Sequence, residues 1–257
     1  MDLELKEKKV LITGSSRGIG KALALRFLEE GSSVAITSRN ESDLTLLEEF
    51  LKNKYGTSRV LAFKSNCSET NSLKALKESI FKEWNNIDVV IANAGSGNSV
   101  SDPLPSEENW SRVWKNNFDT ALNTSRVFLP TLIKSKGCFL FISSIAGLEA
   151  FGAPVDYSTS KTAIIALAKN MSRKLSKEVR INTLAPGNIF FEDGSWDEKL
   201  REDPERIKMI IDNTVPMQRF GTLDEVSDAA LFLCSNRASF ISGCTLVVDG
   251  GQTVSVL

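Results

Sequence analysis

Short apolar runs alternate along the chain with longer segments in which apolar residues recur at helical spacing. The short runs predict β-strands that are buried on both faces. They lie at residues 10–13, 34–37, 60–63, 89–92, 139–142 and 181–184. The longer segments predict α-helices. These lie at residues 17–30, after a cap region at 40–43, at 70–84, around 110–132 and at 155–175.

The order of these elements predicts an α/β fold: a Rossmann-like, doubly wound parallel sheet with helices on both faces. We expect a single domain over residues 1–257, without an internal repeat or linker. An irregular stretch at residues 187–196 is followed by a charged helix near residues 197–212. This insertion predicts a small substrate lid at about residues 188–217.

Composition and charge exclude several classes of protein. The net charge of -1 gives no basic field for nucleic acid, and no apolar run approaches the roughly 20 residues of a membrane span. Because residues 1–9 are too charged for a secretory signal, we expect a cytoplasmic protein without nucleic-acid or membrane partners. The four cysteines are far apart and are expected to be buried thiols.

A glycine-rich turn at residues 13–20 (the glycine turn) follows the first predicted strand and opens the first predicted helix. Its candidate binding residues are Gly14, Ser16, Arg17, Gly18, Ile19 and Gly20. Glycines let the backbone approach a phosphate closely, and the N–H groups and dipole of a helix amino terminus can hold one. The turn therefore predicts a pyrophosphate site for a dinucleotide.

Charge at the end of the second predicted strand indicates which dinucleotide binds. An acidic residue there would bind the ribose hydroxyls of NAD and repel a 2′-phosphate. The chain instead has Ser38 and Arg39. Arg39 and Arg17 could hold a 2′-phosphate through charge-assisted hydrogen bonds. The sequence therefore favours NADP(H), with NAD(H) as the alternative.

Tyr157 and Lys161 lie four residues apart on one predicted helix, and Ser144 lies upstream, just after a predicted strand. A lysine ammonium one turn away would favour the phenolate and lower the pKa of Tyr157. With 0 histidines, the chain has no imidazole to act as general base or zinc ligand. These residues therefore predict a proton-transfer site in which Tyr157 is the acid and base.

Further motifs lie at the ends of other predicted strands. They are Asn93-Ala94-Gly95 after the fourth strand, Pro186-Gly187 after the sixth, and Val-Asp-Gly-Gly at residues 248–251. With the glycine turn and the Ser144, Tyr157 and Lys161 set, they resemble the short-chain dehydrogenase/reductases over nearly the whole chain. The resemblance implies hydride transfer between nicotinamide C4 and a carbonyl or secondary alcohol, with no metal, in a homotetramer or homodimer.

The resemblance also implies roles for individual residues. Tyr157 would exchange a proton with the substrate oxygen, and Ser144 would hydrogen-bond that oxygen. Lys161 would also bind the nicotinamide ribose, and Asn117, with Asn116 as an adjacent rival, would anchor a water between Lys161 and solvent. The other implied cofactor-binding residues are Asn66, Asn93, Ala94, Gly95, Pro186, Gly187 and Ile189.

Two residues depart from the pattern of the family. Asn66 stands where Asp often binds adenine, and it still offers a donor and an acceptor. Phe191 stands where Thr is frequent, and its ring cannot hydrogen-bond the cofactor. We expect the lid to close differently, or Thr183 or Asn188 to compensate.

The substrate stays open among three hypotheses. We favour an NADPH-dependent reductase of a small-molecule ketone or carrier-bound 3-oxoacyl group, for which exposed basic residues could form a dock. The acidic lid would suit a dehydrogenase of a sugar, polyol or sugar-derived precursor. A non-catalytic NADP(H)-binding sensor is the alternative of another class, against which the intact Ser144, Tyr157 and Lys161 set argues.

Overall fold

In the computed structural model, which describes residues 2–256, strands and helices alternate as the hydrophobic pattern predicts. The strands are β1 Lys9–Thr13, β2 Ser33–Ser38, β3 Val60–Lys64, β4 Val89–Ala92, β5 Cys138–Ile142, β6 Arg180–Pro186 and β7 Thr245–Val248. They form one parallel sheet in the order β3-β2-β1-β4-β5-β6-β7. The α/β doubly wound fold class is therefore confirmed.

The strand order places a ligand crevice at the middle of the sheet. Val10 of β1 pairs with Val34 of β2 on one side and with Val89 of β4 on the other. The chain therefore winds outward from β1 to β3, crosses back, and continues from β4 in the opposite direction. Such a reversal separates the loops at the carboxyl ends of the two central strands and opens a crevice between them.

Helices cover both faces of the sheet. They are α1 Gly18–Glu29, α2 Glu41–Tyr55, α3 Thr70–Glu83, α4 Glu107–Trp114, α5 Thr120–Ser135, α6 Val155–Leu175, α7 Ser195–Glu202, α8 Pro204–Thr214 and α9 Leu223–Cys234. A single π-helical turn, Lys115–Asp119, joins α4 to α5. Among the described helices, none is long and apolar enough to cross a membrane.

The core lies in two layers, one on each face of the sheet. Because side chains alternate along a strand, Val10 and Ile12 pack in one layer with Phe27 of α1, and Leu11 packs in the other with Phe128 of α5. These side chains are fully buried, and burial of each one stabilises the fold by about 1.5–3 kcal/mol. The two layers hold the strand ends, and thus the crevice, in fixed positions.

Two elements differ from the sequence prediction. Strand β7 was absent from it, and each of its residues is only half-buried because the strand lies at the edge of the sheet. The single charged helix expected near residues 197–212 is two helices, α7 and α8. The break falls at Asp203, whose side chain accepts from Arg206 N at 3.0 Å, and Pro204 then starts α8.

Candidate active site

The glycine turn lies against the end of β4 at the central crevice. Gly14 and Gly18 have φ values of 63° and 53°, which favour glycine. A Cβ at Gly14 would lie 2.8 Å from Ala94 Cα, and one at Gly20 would lie 2.3 Å from Gly14 O. The backbone is therefore packed as closely as a phosphate-binding turn requires. Arg17, Gly18 and Ile19 lead directly into the amino terminus of α1.

Asn93 fastens the end of β4 to the glycine turn. Its Nδ2 donates to Thr13 O at 3.0 Å and to Gly14 O at 2.9 Å. Thr13 Oγ1 in turn accepts from the backbone N–H groups of Asn93 and Ala94, at 3.0 and 3.1 Å. Asn93 therefore shapes the crevice by joining its two sides.

The two arginines predicted to bind the 2′-phosphate are both exposed. They follow the carboxyl ends of neighbouring strands, Arg17 after β1 and Arg39 after β2. Arg39 Nη1 donates to Asn116 Oδ1 at 3.2 Å, and Arg17 Nη1 donates to Asp193 O at 3.4 Å. Within the described part of the chain, neither has a carboxylate partner within 4.0 Å in an ion pair. Each guanidinium therefore keeps donors that an anionic phosphate could accept.

The side chain of Asn66, the candidate adenine-binding residue, is hydrogen-bonded within the loop between β3 and α3. Its Nδ2 donates to Glu69 Oε1 at 2.6 Å, and its Oδ1 accepts from the Ser68 N–H at 3.2 Å and hydroxyl at 2.9 Å. An amide has two N–H donors. One N–H donor of Asn66 is therefore left to bind a base. Adenine binding by Asn66 remains a prediction.

Ser144 follows β5 at the start of a 3₁₀ turn, Ile145–Gly147, and its Oγ accepts from Ala146 N at 3.1 Å. This turn is packed against α6, since a Cβ at Gly147 would lie 2.7 Å from the carbonyl carbon of Lys161. Ser143 Oγ also donates to Lys161 O at 2.9 Å. The end of β5 is therefore fixed to the helix that carries the other two candidate catalytic residues.

Tyr157 and Lys161 lie on α6, one helical turn apart, as predicted. The Ser144 side chain lies close enough to Tyr157 to act on the pKa of the phenol. Lys161 Nζ lies 5.6 Å from the centroid of the Tyr157 ring and donates to Ile142 O at 3.2 Å. The structure thus brings the hydroxyl, the phenol and the amine together at the carboxyl end of β5.

The pKa values at this site differ from the expectation in one respect. Burial raises the pKa of Tyr157 above its ordinary value, and the Ser144 side chain lowers it by a smaller amount. Burial also lowers the pKa of Lys161 to about 8. The expected lowering of the Tyr157 pKa by Lys161 is therefore not found: loss of solvent sets the direction of both pKa shifts.

Asn117, and not its neighbour Asn116, is the asparagine directed toward the site. Asn117 is buried in the π-helical turn, and its Nδ2 donates to Ser96 O and Val113 O, both at 3.0 Å. Its Oδ1 accepts from Ser96 N at 3.2 Å. A Cβ at Gly95 would lie 2.9 Å from this oxygen and 3.4 Å from Lys161 Nζ. The side chain fixes the loop after β4 beside Lys161, and its water-binding role remains a prediction.

The segment after β6 crosses the glycine turn. Pro186 ends β6, Gly187 N donates to Val248 O at 2.9 Å, and Ile189 is buried. The tip of the Phe191 ring lies 2.9 Å from a Cβ position at Gly18 and 2.8 Å from one at Gly194. Phe191 therefore packs between two glycines where a threonine would offer a hydroxyl.

Sequence reasoning missed Asp156, the residue before Tyr157. Its side chain is buried, and its carboxylate accepts from the Ser99 hydroxyl and from the Tyr157 backbone N–H. An acidic residue in the first turn of a helix commonly interacts with the positive end of the helix dipole and stays exposed. The sequence pattern therefore gave no sign that this aspartate would be buried beside the candidate catalytic tyrosine.

The residues present fit a nicotinamide dinucleotide. Glycines at positions 14, 18 and 20 bring backbone N–H groups of a helix amino terminus to the crevice, where a Cβ would collide with neighbouring atoms. Arg17 and Arg39 supply positive charge nearby. The Ser144, Tyr157 and Lys161 cluster lies at the carboxyl end of β5, next to β4 in the sheet.

Known proteins resemble this chain along nearly its whole length. A family model described as Enoyl-(Acyl carrier protein) reductase matches residues 14–253. The 3-oxoacyl-(acyl-carrier-protein) reductase FabG of Chlamydia muridarum is 34% identical over 261 residues, covering 98% of this chain and 100% of that protein. Glucose 1-dehydrogenase 2 of Bacillus subtilis is 32% identical over 260 residues, covering 98% and 96%. A similar solved structure is that of L-sorbose reductase from Gluconobacter frateurii, complexed with NADPH and L-sorbose. The two chains share 27% sequence identity, and their structures align over 100% of both chains with a TM-score of 0.92.

Proposed function

This chain belongs to the short-chain dehydrogenase/reductase family, and we propose that it is an NADPH-dependent reductase of a ketone or 3-oxoacyl group. It is an oxidoreductase that acts on a carbonyl or an alcohol, like its relatives. The observation that carries the proposal is that Ser144, Tyr157 and Lys161 meet at the carboxyl end of β5, where the Lys161 amine lies 5.6 Å from the centre of the Tyr157 ring and the segment carrying Ser144 packs against α6. A proton donor and an oxygen-binding group thus lie side by side.

When bound, NADPH supplies a hydride from C4 of its nicotinamide. Tyr157 then donates its phenolic proton to the substrate oxygen, which is the role of a general acid. The raised pKa of Tyr157 keeps that proton in place at neutral pH. Ser144 hydrogen-bonds the same oxygen and stabilises the negative charge that develops on it. Lys161 would bind the nicotinamide ribose and hold positive charge beside the phenol.

Preference for NADPH is supported by the two arginines. Arg17 and Arg39 are exposed and keep donors for a 2′-phosphate, whereas no acidic residue stands at the end of β2 to bind ribose hydroxyls. The L-sorbose reductase with the same fold was crystallised with NADPH. NAD(H) is the weaker alternative.

The test is the rate of NADPH consumption with simple ketones, 3-oxoacyl thioesters and ketoses as substrates. Tyr157→Phe should lower kcat by about a thousandfold, since general acid catalysis contributes roughly 10²–10⁴-fold. Tyr55→Phe is the matched control, because Tyr55 is the only other tyrosine and its hydroxyl donates to Glu29 on the surface. Full activity of Tyr157→Phe would reject the proposal and favour a non-catalytic sensor.

A sugar or polyol is the second candidate substrate. It is supported by the relatedness to glucose 1-dehydrogenase and by the complex of L-sorbose reductase with its sugar. The exposed basic residues that could dock a carrier lie at the carboxyl ends of α5 and α6: Lys134, Lys136, Arg173, Lys174 and Lys177. Because β5 and β6 begin directly after them, they lie at the edge of the sheet opposite Ser144, and they do not support a carrier-bound substrate at Tyr157. Turnover of ketoses but not of 3-oxoacyl thioesters would select the sugar.

We also propose that the protein acts in the cytoplasm as a homotetramer or homodimer. Its four cysteines are all free thiols, which suits a reducing compartment. Phe240 is fully exposed before the edge strand β7, where an isolated molecule would leave a large aromatic ring in water. Light scattering after gel filtration should give the mass of two or four chains, and a monomer at micromolar concentration would reject the oligomer.

A further inference from the structure

Asp156 places a carboxylate in the protein interior, directly before Tyr157. Only 1% of the residue is exposed. Among residues 2–256, no lysine or arginine forms an ion pair with it. A buried carboxylate without a cation is costly unless hydrogen bonds satisfy it. Its hydrogen bonds therefore indicate what the carboxylate does.

Two donors from different parts of the chain satisfy this carboxylate. Ser99 Oγ lies 2.6 Å from Oδ1 and 2.7 Å from Oδ2, so the hydroxyl is shared between both oxygens. The Tyr157 backbone N–H donates to Oδ1 at 2.7 Å. This N–H belongs to the first turn of α6, where backbone donors lack partners within the helix. Asp156 therefore joins Ser99 to the backbone of Tyr157.

Ser99 lies in the loop after β4, which other contacts hold at earlier positions. Asn117 binds both the N–H and the carbonyl of Ser96, and Arg112 Nη1 donates to Asn98 O at 3.2 Å. Arg112 belongs to α4, and Asn117 belongs to the π-helical turn. The contact at Asp156 connects the loop to α6, the helix that carries Tyr157 and Lys161.

We infer that Ser99 and Asp156 form a clamp that fixes the loop after β4 relative to Tyr157 and so determines how tightly a carbonyl substrate is held. Asp156 is a positioning residue: it acts through the Ser99 hydroxyl and the Tyr157 N–H and takes no proton from the substrate. This inference rests on the proposed function, because the loop matters for binding only if the reaction takes place at Tyr157.

The first test is the Ser99→Ala variant. Loss of a hydrogen bond to a charged group should raise KM for the carbonyl substrate roughly tenfold. The value of kcat should change less, and Kd for NADPH should stay within about twofold, because the glycine turn is untouched. The matched control is Ser111→Ala, which removes an exposed hydroxyl from the neighbouring helix α4 and should leave KM unchanged.

Asp156 variants separate the clamp from simple helix capping. Asp156→Asn keeps an acceptor and should retain most of the affinity for substrate, whereas Asp156→Ala should raise KM as Ser99→Ala does. Adding Ser99→Ala to Asp156→Ala should have little further effect, since coupled residues are not additive. A lower Tm with unchanged KM in Asp156→Ala, or an unchanged KM in Ser99→Ala, would overturn the clamp.

Amide hydrogen exchange tests the clamp independently of turnover. Ser99→Ala should speed exchange of the loop at residues 96–100 about tenfold relative to wild type, and Ser111→Ala should not. Equal exchange in all three proteins would overturn the inference. A wild-type protein that consumes no NADPH with any carbonyl would instead count against the proposed function, and the exchange measurement would still decide on the clamp.

Discussion

Lys161 has 5% of its surface exposed, and its amine lies 5.6 Å from the ring centre of Tyr157. Removal from water disfavours the charged form of each group, so the pKa of Tyr157 rises and that of Lys161 falls to about 8. At neutral pH the phenol is protonated and the lysine is charged. This is the protonation state that reduction of a carbonyl requires.

The pH dependence of the reaction follows from these directions. The rate of reduction should be level from pH 6 to 7 and decline above about 8, where Lys161 loses its proton. Alcohol oxidation should instead speed up as pH rises, because Tyr157 must then accept a proton. Measuring kcat in both directions from pH 6 to 10 checks this prediction. A reduction rate that climbs through pH 8 would contradict it.

Lys161 should reduce the stability of the fold at neutral pH. A pKa lowered from 10.5 to about 8 corresponds to a penalty of about 3 kcal/mol on the buried ammonium. Between these values the unfolded chain binds more protons, so stability should rise with pH in that window. Lys161→Met should be inactive, more stable at pH 7 by up to about 3 kcal/mol, and free of that rise. Urea unfolding at pH 7 and 9.5 measures the free energy of unfolding of both proteins. A Lys161→Met variant that is less stable than wild type at pH 7 would contradict the prediction.

Arg39 should determine the choice of dinucleotide. Arg39→Ala should weaken NADPH binding roughly tenfold or more and NADH binding little, because only NADPH carries the phosphate that the guanidinium would bind. Arg126→Ala removes an exposed arginine from α5 and serves as the control. Fluorescence titration gives both Kd values. Equal weakening for the two dinucleotides would reject the assignment.

Much of the site could be predicted at this scale, because spacing along a helix is local. Tyr157 and Lys161 share a face of α6 as their four-residue separation requires. The direction of the Tyr157 pKa could not be predicted, because burial depends on the loops packed around the phenol. The burial of Asp156 could not be predicted either, because its partner Ser99 is 57 residues away in the sequence.

At the scale of elements, the segment predicted to be a lid, residues 188–217, contacts the glycine turn through one aromatic side chain. The Phe191 ring packs between Gly18 and Gly194, and Arg17 donates to the carbonyl of Asp193 in the same segment. Asp193 has a φ of 57°, a conformation that is uncommon outside glycine. The contacts around Phe191 therefore hold a strained turn against the dinucleotide site.

Phe191→Ala should loosen this lid without unfolding the core. Loss of one partly buried ring should speed proteolysis within residues 188–217 roughly tenfold, while the Tm of the protein changes little. Phe50→Ala is the control, because that ring is exposed on α2, which packs against β2 and β3. Limited proteolysis followed by mass spectrometry locates the cuts. Equal cleavage rates for wild type and Phe191→Ala would show that the ring does not hold the lid.

The strands that hydrophobic runs predicted are confirmed to within one or two residues at each end, because buried parallel strands need continuous apolar sequence. The strand that was missed, β7, lies at the sheet edge, where half-buried residues leave a weaker pattern. The lid helices were merged into one because charge is continuous across Asp203 and Pro204.

At the scale of the whole molecule, the reversal of winding between β1 and β4 brings distant residues to one crevice. The glycine turn follows β1, the Asn93 motif follows β4, and Ser144 follows β5. Because all three strands are parallel, their carboxyl ends lie on the same edge of the sheet. The crevice is therefore a property of the topology, and the motifs could be placed at it from the sequence alone.

The most direct measurement is the fate of deuterium when both hydrogens at C4 of the NADPH nicotinamide are replaced by deuterium. With a carbonyl substrate found in the panel, the product of the wild-type protein should carry one deuterium on the former carbonyl carbon, as mass spectrometry would show. Tyr157→Phe should bind NADPH with a similar Kd and form almost no labelled product. A product without deuterium, or equal labelling by Tyr157→Phe, would contradict hydride transfer with Tyr157 as the proton donor.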